Sequence, residues 1–272
     1  MNGGTGIKKG VFFLAAEKGI NGTLAIVLIP AMIQRIGVEN YGLWGILLGL
    51  AAYIQCFDFG IAYSIERFVA HYCANDDKQT LSRFLSTALT MLLLLSLAIA
   101  VPMALWGGPV IGYLTKGSVA VDGRAVLLAM YPVIVMTWVT FVFAGVTRGL
   151  QRFDISSKIQ VAGKLLFAGT LIALLLRMQT VYAAIIAFNL QCLLLLIGYL
   201  YFARRLLPDV SFLRLSLSRP MLRQMIGFGF KVQISAFSSQ INQQFDKFLL
   251  ASFSNLTVVG YYDAASRIVY AV

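Results

Sequence analysis

Phe84-Leu-Ser-Thr-Ala-Leu-Thr-Met-Leu-Leu-Leu-Leu-Ser-Leu-Ala-Ile-Ala-Val-Pro-Met-Ala-Leu-Trp106 carries no charge from one end to the other. About 20 mostly apolar residues are enough for a helix to span the hydrocarbon of a bilayer. Working outward from this run, further spans are expected at 11–34, 42–66, 82–106, 125–147, 159–176, 180–203, 224–252 and from 258 onward. Lys8 and Lys9 before the first run suggest a signal peptide, but Glu17 and Lys18 interrupt the run early and it continues to Ile33, so it reads as a retained span. Of the 272 residues, 59% are hydrophobic and only 12% charged, with a mean hydropathy of +0.81. A soluble domain cannot hide that much apolar surface. The composition excludes a soluble enzyme, a disordered tail and a secreted disulfide scaffold. The expected fold class is all-α, a polytopic membrane bundle of about eight transmembrane helices.

The net charge of +11 is explained by the loops. Lys8, Lys9, Arg67, Lys78, Arg83, Arg148, Arg152, Lys158, Arg204, Arg205, Arg214, Arg219 and Arg223 fall on one side of these spans; Arg35, Lys116, Arg124 and Arg177 fall on the other. This bias places the N-terminus in the cytoplasm and the basic face against anionic headgroups, without nucleic acid. Cys56, Cys73, Cys192 and the lone His71 have no metal or redox spacing. No metal or other cofactor is expected.

Two connections are long. Residues 107–124 read as an outside loop opening on Gly107-Gly108-Pro109. Residues 204–223 read as an inside loop in which Phe212, Leu213, Leu215 and Leu217 lie on the inner leaflet. The chain also repeats itself weakly. Tyr41-Gly42-Leu43-Trp44 follows the first span and Val259-Gly260-Tyr261-Tyr262 follows the seventh, an offset of 218 that sets Glu17 against Ser235 and Asn21 against Ser239. Six spans lie between the copies, so they run the same way across the membrane. Parallel repeats of this kind predict two lobes related by an axis along the membrane normal, with a site between them. The expected divisions are a six-helix N-terminal lobe over 1–206, a cytoplasmic interfacial loop over 207–223, and the first two helices of an incomplete second lobe over 224–272.

Intramembrane polar groups mark the candidate site, because a charge at the bilayer centre costs about 2.5–3.5 kcal/mol. On the seventh span Lys231, Ser235, Asn242 and Asp246 recur at helical spacing, widened by Gln240 and Lys247. This stripe reads as a water-lined wall or as interhelical hydrogen bonding. Glu17, Lys18 and Asn21 repeat it more faintly on the first span. Asp58 lies deep in the second, either as a structural ion pair with a residue such as Lys164 or as a titrating group coupled to protons or sodium. Arg148 and Arg152, one turn apart, form a charged helix end or hold a headgroup phosphate.

Tyr41-Gly42-Leu43-Trp44, Asp58-Phe59-Gly60, Arg67-Phe68-Val69-Ala70, Gly149-Leu150-Gln151-Arg152-Phe153-Asp154, Asp246-Lys247 and Gly260-Tyr261-Tyr262-Asp263-Ala264-Ala265-Ser266-Arg267 together resemble the Wzx-type polysaccharide-biosynthesis flippases of the MOP (MATE-like) exporter superfamily. The resemblance implies the first lobe of a two-lobe transporter and the opening of the second. It implies transport without catalysis, in which a polyprenyl-diphosphate-linked oligosaccharide moves from the inner to the outer leaflet of the bacterial cytoplasmic membrane, for O-antigen or exopolysaccharide. Under it, Lys231, Lys247 and Lys18 supply positive charge, and Ser235, Gln240, Asn242 and Asn21 supply hydrogen bonds. Asp246, Asp58 and Glu17 are the candidate coupling carboxylates for a proton or sodium ion. Rival readings are a MATE-like organic-cation exporter, a membrane glycosyl transferase or polymerase, and an inactive fragment.

Overall fold

The computed structural model describes residues 3–119, 121–211 and 215–271, with the backbone alone for 3–18, 21, 268, 270 and 271. The described residues form eight α-helices and one 3-10 turn: α1 (Gly3–Gln55), the turn Cys56–Asp58, α2 (Ile61–Ala74), α3 (Lys78–Thr115), α4 (Gly123–Gly149), α5 (Phe153–Leu175), α6 (Val181–Leu206), α7 (Arg219–Phe253) and α8 (Leu256–Ala271). Within them Gly22–Asp58, Lys78–Thr115, Gly123–Gly149, Phe153–Leu175 and Val181–Leu206 are long and apolar enough to cross a membrane.

Two of the expected eight spans are the arms of α1. They join at Gly37, where φ is 83° and ψ 157°. Leu24 and Leu48 line one cavity, whereas a straight helix would hold residues 24 apart separated by about 36 Å. The arms therefore bend toward each other about Gly37. α7 is less apolar than these spans because Ser, Gln, Asn and charged residues dilute it along its length. α8 is too short, at 16 residues.

Three expectations are corrected. The second span is not continuous over 42–66. The helix breaks at 56–60, where the Asp58 carboxylate accepts from the Gly60 N–H at 2.9 Å and the Ala62 N–H at 3.1 Å and so restarts the chain as α2. A short carboxylate that caps its own backbone competes with the helix ladder. The loop expected over 107–124 is shorter. α3 runs through Pro109 to Thr115 because Gly107 and Gly123 admit close neighbours: a methyl group on Gly107 would sit 3.0 Å from Leu127, and one on Gly123 2.6 Å from Ile111. α3 stops where Lys116 and Gly117 turn left-handed. The inside connection also shrinks, from 204–223 to 207–218. Of its expected interfacial residues, Phe212 and Leu213 lie outside the described residues, while Leu215 and Leu217 are exposed and irregular.

That connection is strapped to the start of α3. Lys78 Nζ lies 2.9 Å from Asp209 Oδ2, Ser82 Oγ donates to the Ser211 carbonyl at 2.8 Å, and the Ser218 N–H donates to Thr87 Oγ1 at 3.3 Å. Asp77, the N-cap of α3, is held below the usual carboxylate range by Thr80.

Gly60 has a φ of +75°, and a Cβ there would overlap the backbone of Gly229 on α7. Gly60→Ala should therefore lose about 1–3 kcal/mol from left-handed strain alone, before the overlap is added. Gly112→Ala, where nothing stands within 4 Å, should be neutral or gain up to about 1 kcal/mol of helix propensity. Thermal unfolding of the two purified variants in one detergent checks the contrast.

Candidate functional site

α7 docks where the α1–α2 path is broken. The break frees the Cys56 carbonyl, which accepts from Gln233 Nε2 at 2.7 Å, and Ser64 Oγ donates to the Met225 carbonyl at 2.7 Å. Gly60 and Gly229 lie backbone to backbone between these bonds. The packed face of α7 is Met225, Gly229, Gln233, Lys247 and Ala251. Lys231, Ser235, Asn242 and Asp246 lie on its exposed side, and Gln240 is half-buried. Asp246 accepts a 2.5 Å hydrogen bond from the Tyr262 hydroxyl of α8.

Lys247 does not belong to that exposed stripe. It is 5% exposed, with its ammonium 2.5 Å from Asp263 Oδ1 and 2.8 Å from Gln244 Oε1. Asp263 is fully buried, and its other oxygen lies 2.6 Å from Arg267 Nε. Two cations thus share one carboxylate, leaving a surplus positive charge. Gly45 of α1 makes room for this cluster: a methyl group there would stand 3.1 Å from the Asp263 carboxyl carbon.

Arg267 reaches both the cluster and a cavity of about 290 Å3 between α1, α5, α6 and α8. Lys164 of α5 and Gln191 of α6 also line it. Its aromatic wall is Trp44, which meets Phe188 edge-on at 5.6 Å and stacks on Phe167 at 6.5 Å. Half-buried cations, an amide and flat aromatic rings can hold a group that is both anionic and ring-shaped. A larger recess of about 450 Å3, lined by Leu50, Ile99, Pro102 and Trp106 among others, has no ionisable lining residue and is not the candidate.

Asp58 is buried, and both its oxygens cap α2 rather than pairing with Lys164, which lies on the cavity instead. Arg148 and Arg152 do not converge on one anion. Arg148 Nη1 pairs with Glu66 at 2.8 Å, and Arg152 grips Asp154 through two bonds of 3.0 and 3.1 Å. The side chains of Glu17, Lys18 and Asn21 lie outside the described residues. Sequence reasoning missed Asp263 and Arg267 as site residues. The available signal was a carboxylate and a guanidinium four residues apart in a mostly apolar helix.

α1 and α8 also touch without side chains. A Cβ on Gly42 would overlap the Leu256 carbonyl, and one on Gly260 would stand 2.5 Å from the Val38 carbonyl. Thr257 Oγ1 donates to Glu39 Oε1 at 3.4 Å across the same seam, between residues 218 apart.

Residues 7–272 match the profile of the family described as Polysaccharide biosynthesis protein. A putative O-antigen transporter of Shigella flexneri is 19% identical over 247 residues, covering 90% of this chain and 58% of that protein. Two solved structures share the fold. One is the MATE multidrug transporter DinF-BH in complex with R6G, with a TM-score of 0.69 at 12% identity over 95% of this chain and 59% of that one. The other is an inward-facing multidrug resistance MATE family transporter of the MOP superfamily, with a TM-score of 0.64 at 18% identity over 92% and 58%. The chain therefore spans under two thirds of the length of these relatives. Its fold is that of a multi-pass, all-α MATE-like membrane protein, and its relatives are transporters rather than enzymes.

Removing the shared carboxylate leaves the buried Lys247 and the half-buried Arg267 uncompensated. Asp263→Ala is expected to lose about 3–5 kcal/mol. Combining it with Lys247→Met should recover part of that loss, read as the thermal midpoint of each purified variant.

Proposed function

Because the chain belongs to the polysaccharide biosynthesis protein family, we propose that it carries a polyprenyl-diphosphate-linked oligosaccharide from the inner to the outer leaflet of the bacterial cytoplasmic membrane. The observation that carries this reading is the aromatic cavity faced by Arg267 and Lys164 beside a cluster with surplus positive charge. A diphosphate headgroup cannot enter hydrocarbon unaided. Here two cations replace part of its hydration, while Gln191 and the Trp44 ring offer an amide and a flat apolar face to a sugar. The exposed stripe of Lys231, Ser235, Asn242 and Asp246, with Gln240 at its edge, supplies a second polar surface for a headgroup larger than the cavity. The polyprenyl tail stays in the bilayer throughout, so no bond is made or broken.

In this reading 1–206 is the first lobe, 207–223 a cytoplasmic connection and 224–272 the first two helices of a second lobe. The basic loops put the N-terminus in the cytoplasm. The lobes alternate access by rocking, driven by a proton or sodium ion, with the exposed Asp246 and its Tyr262 partner as the coupling group. The fold is shared with multidrug transporters, but two cations on the cavity wall disfavour an organic-cation cargo.

In cells whose surface polysaccharide depends on this protein, Lys164→Gln with Arg267→Gln should lower export about tenfold or more, the loss of one charge-assisted contact or two. Lys164→Arg should retain most of it. Undiminished export by the double variant at normal protein levels removes the cationic-cavity reading.

A further inference from the structure

The seam between α1 and α8 is reciprocal. Gly42 meets the Leu256 carbonyl and Gly260 meets the Val38 carbonyl, while Glu39 meets Thr257. Each of the pairs Val38/Leu256, Glu39/Thr257 and Gly42/Gly260 is separated by 218 positions, the offset of the internal repeat. A contact in which i touches j while the counterpart of i touches the counterpart of j is the mark of a two-fold axis. That axis runs between the second arm of α1 and α8.

The charges beside the axis break this symmetry. The counterparts of Lys247, Asp263 and Arg267 in the first copy are Ile29, Gly45 and Gly49. Asp263 lies over Gly45, its own counterpart, one turn along from the glycine contact. A single carboxylate from one copy thus occupies the seam, held there by Lys247 on one oxygen and Arg267 on the other. Arg267 also lines the cavity.

We infer that Arg267 is a positioning residue that ties occupation of the cavity by a diphosphate to the closure of the α1–α8 seam. This rests on the proposed headgroup reading. An anion in the cavity competes with Asp263 for the guanidinium, which binds phosphate and carboxylate by the same planar fork. Asp263, no longer held in place by Arg267 of its own helix, keeps Lys247 alone and shifts from Gly45 toward α7, and the seam loses the side chain that packs α8 on the α1 backbone there. The anion shifts the seam only because it binds the open arrangement better than the closed one.

The test uses the full chain with its native cysteines replaced and Glu39→Cys with Thr257→Cys as a reporter of the closed seam. Inorganic pyrophosphate should slow oxidative cross-linking by about fivefold or more. Arg267→Gln should abolish that response, and Arg267→Lys should keep part of it. Linkage requires the reverse effect: the cross-linked protein should bind pyrophosphate more weakly by the same factor. Asp263→Asn should cross-link slowly even without pyrophosphate; if it fails to fold, the Arg267 pair carries the test. Pyrophosphate that binds without changing the cross-linking rate, or that acts equally on Arg267→Gln, overturns the coupling and leaves the headgroup reading standing. Pyrophosphate that does not bind overturns both.

Discussion

Backbones reach contact distance inside a bundle only where neither carries a side chain in the way. This chain uses that freedom to seat its last two helices, at Gly60 against Gly229 and at Gly42 against Gly260. The first contact seats α7 in the break between α1 and α2; the second seats α8 on the second arm of α1. Close approach brings the Ser64 hydroxyl to the Met225 carbonyl and the Gln233 amide to the Cys56 carbonyl. It also brings α8 near enough for Asp263 to lie over Gly45. A methyl group at any of these glycines would push the polar contacts out of range, so the charged cluster depends on them.

The cluster itself is a poor way to gain stability. Burying ions costs several kcal/mol each, and their mutual attraction offsets this only with good geometry. Asp263 meets that condition on one side, where Arg267 Nε donates to Oδ2 at 2.6 Å, whereas Oδ1 lies 2.5 Å from Lys247 without accepting a directed hydrogen bond. The surplus positive charge is not offset within the cluster. It faces a cavity whose other cation, Lys164, has the same sign. Under the proposed function, the guanidinium that Arg267 turns to the cavity favours an anion there, which links the energetics of the seam to the chemistry of the cargo.

Helix positions were legible in the sequence because span length and hydropathy are local properties. The runs around Phe84–Trp106, 125–147, 159–176 and 180–203 became α3 to α6. The break at 56–60 was hidden, since it depends on Gly229, far along the chain, although Asp58-Phe59-Gly60 holds a capping side chain and a left-handed glycine. The exposed stripe of Lys231, Ser235, Asn242 and Asp246 lies together on α7 as helical spacing requires. Adjacency in sequence groups Lys247 with it, but neighbouring residues on a helix diverge by about 100°. That rotation turns Lys247 inward to Asp263. The cavity was illegible because it is assembled from α1, α5, α6 and α8, and no single segment contains its pattern.

α7 and α8 are joined by two polar links side by side, Asp246 to Tyr262 and Lys247 to Asp263. Only Ser254 and Asn255 separate the helices. The pair therefore holds together through side chains. Against the rest of the bundle it leans at key points on glycine backbones, which interlock less than knobs in holes and hold less tightly once separated. Side-chain packing resists sliding because each rotamer must find a new well; a glycine contact can part and re-form without repacking. A body that is tied internally and held to its neighbours at a few polar points can tilt as one piece. Against that tilt stand the Gln233–Cys56, Ser64–Met225 and Thr257–Glu39 hydrogen bonds and the seat of Asp263 on Gly45, and the last of these is linked to the cavity through Arg267.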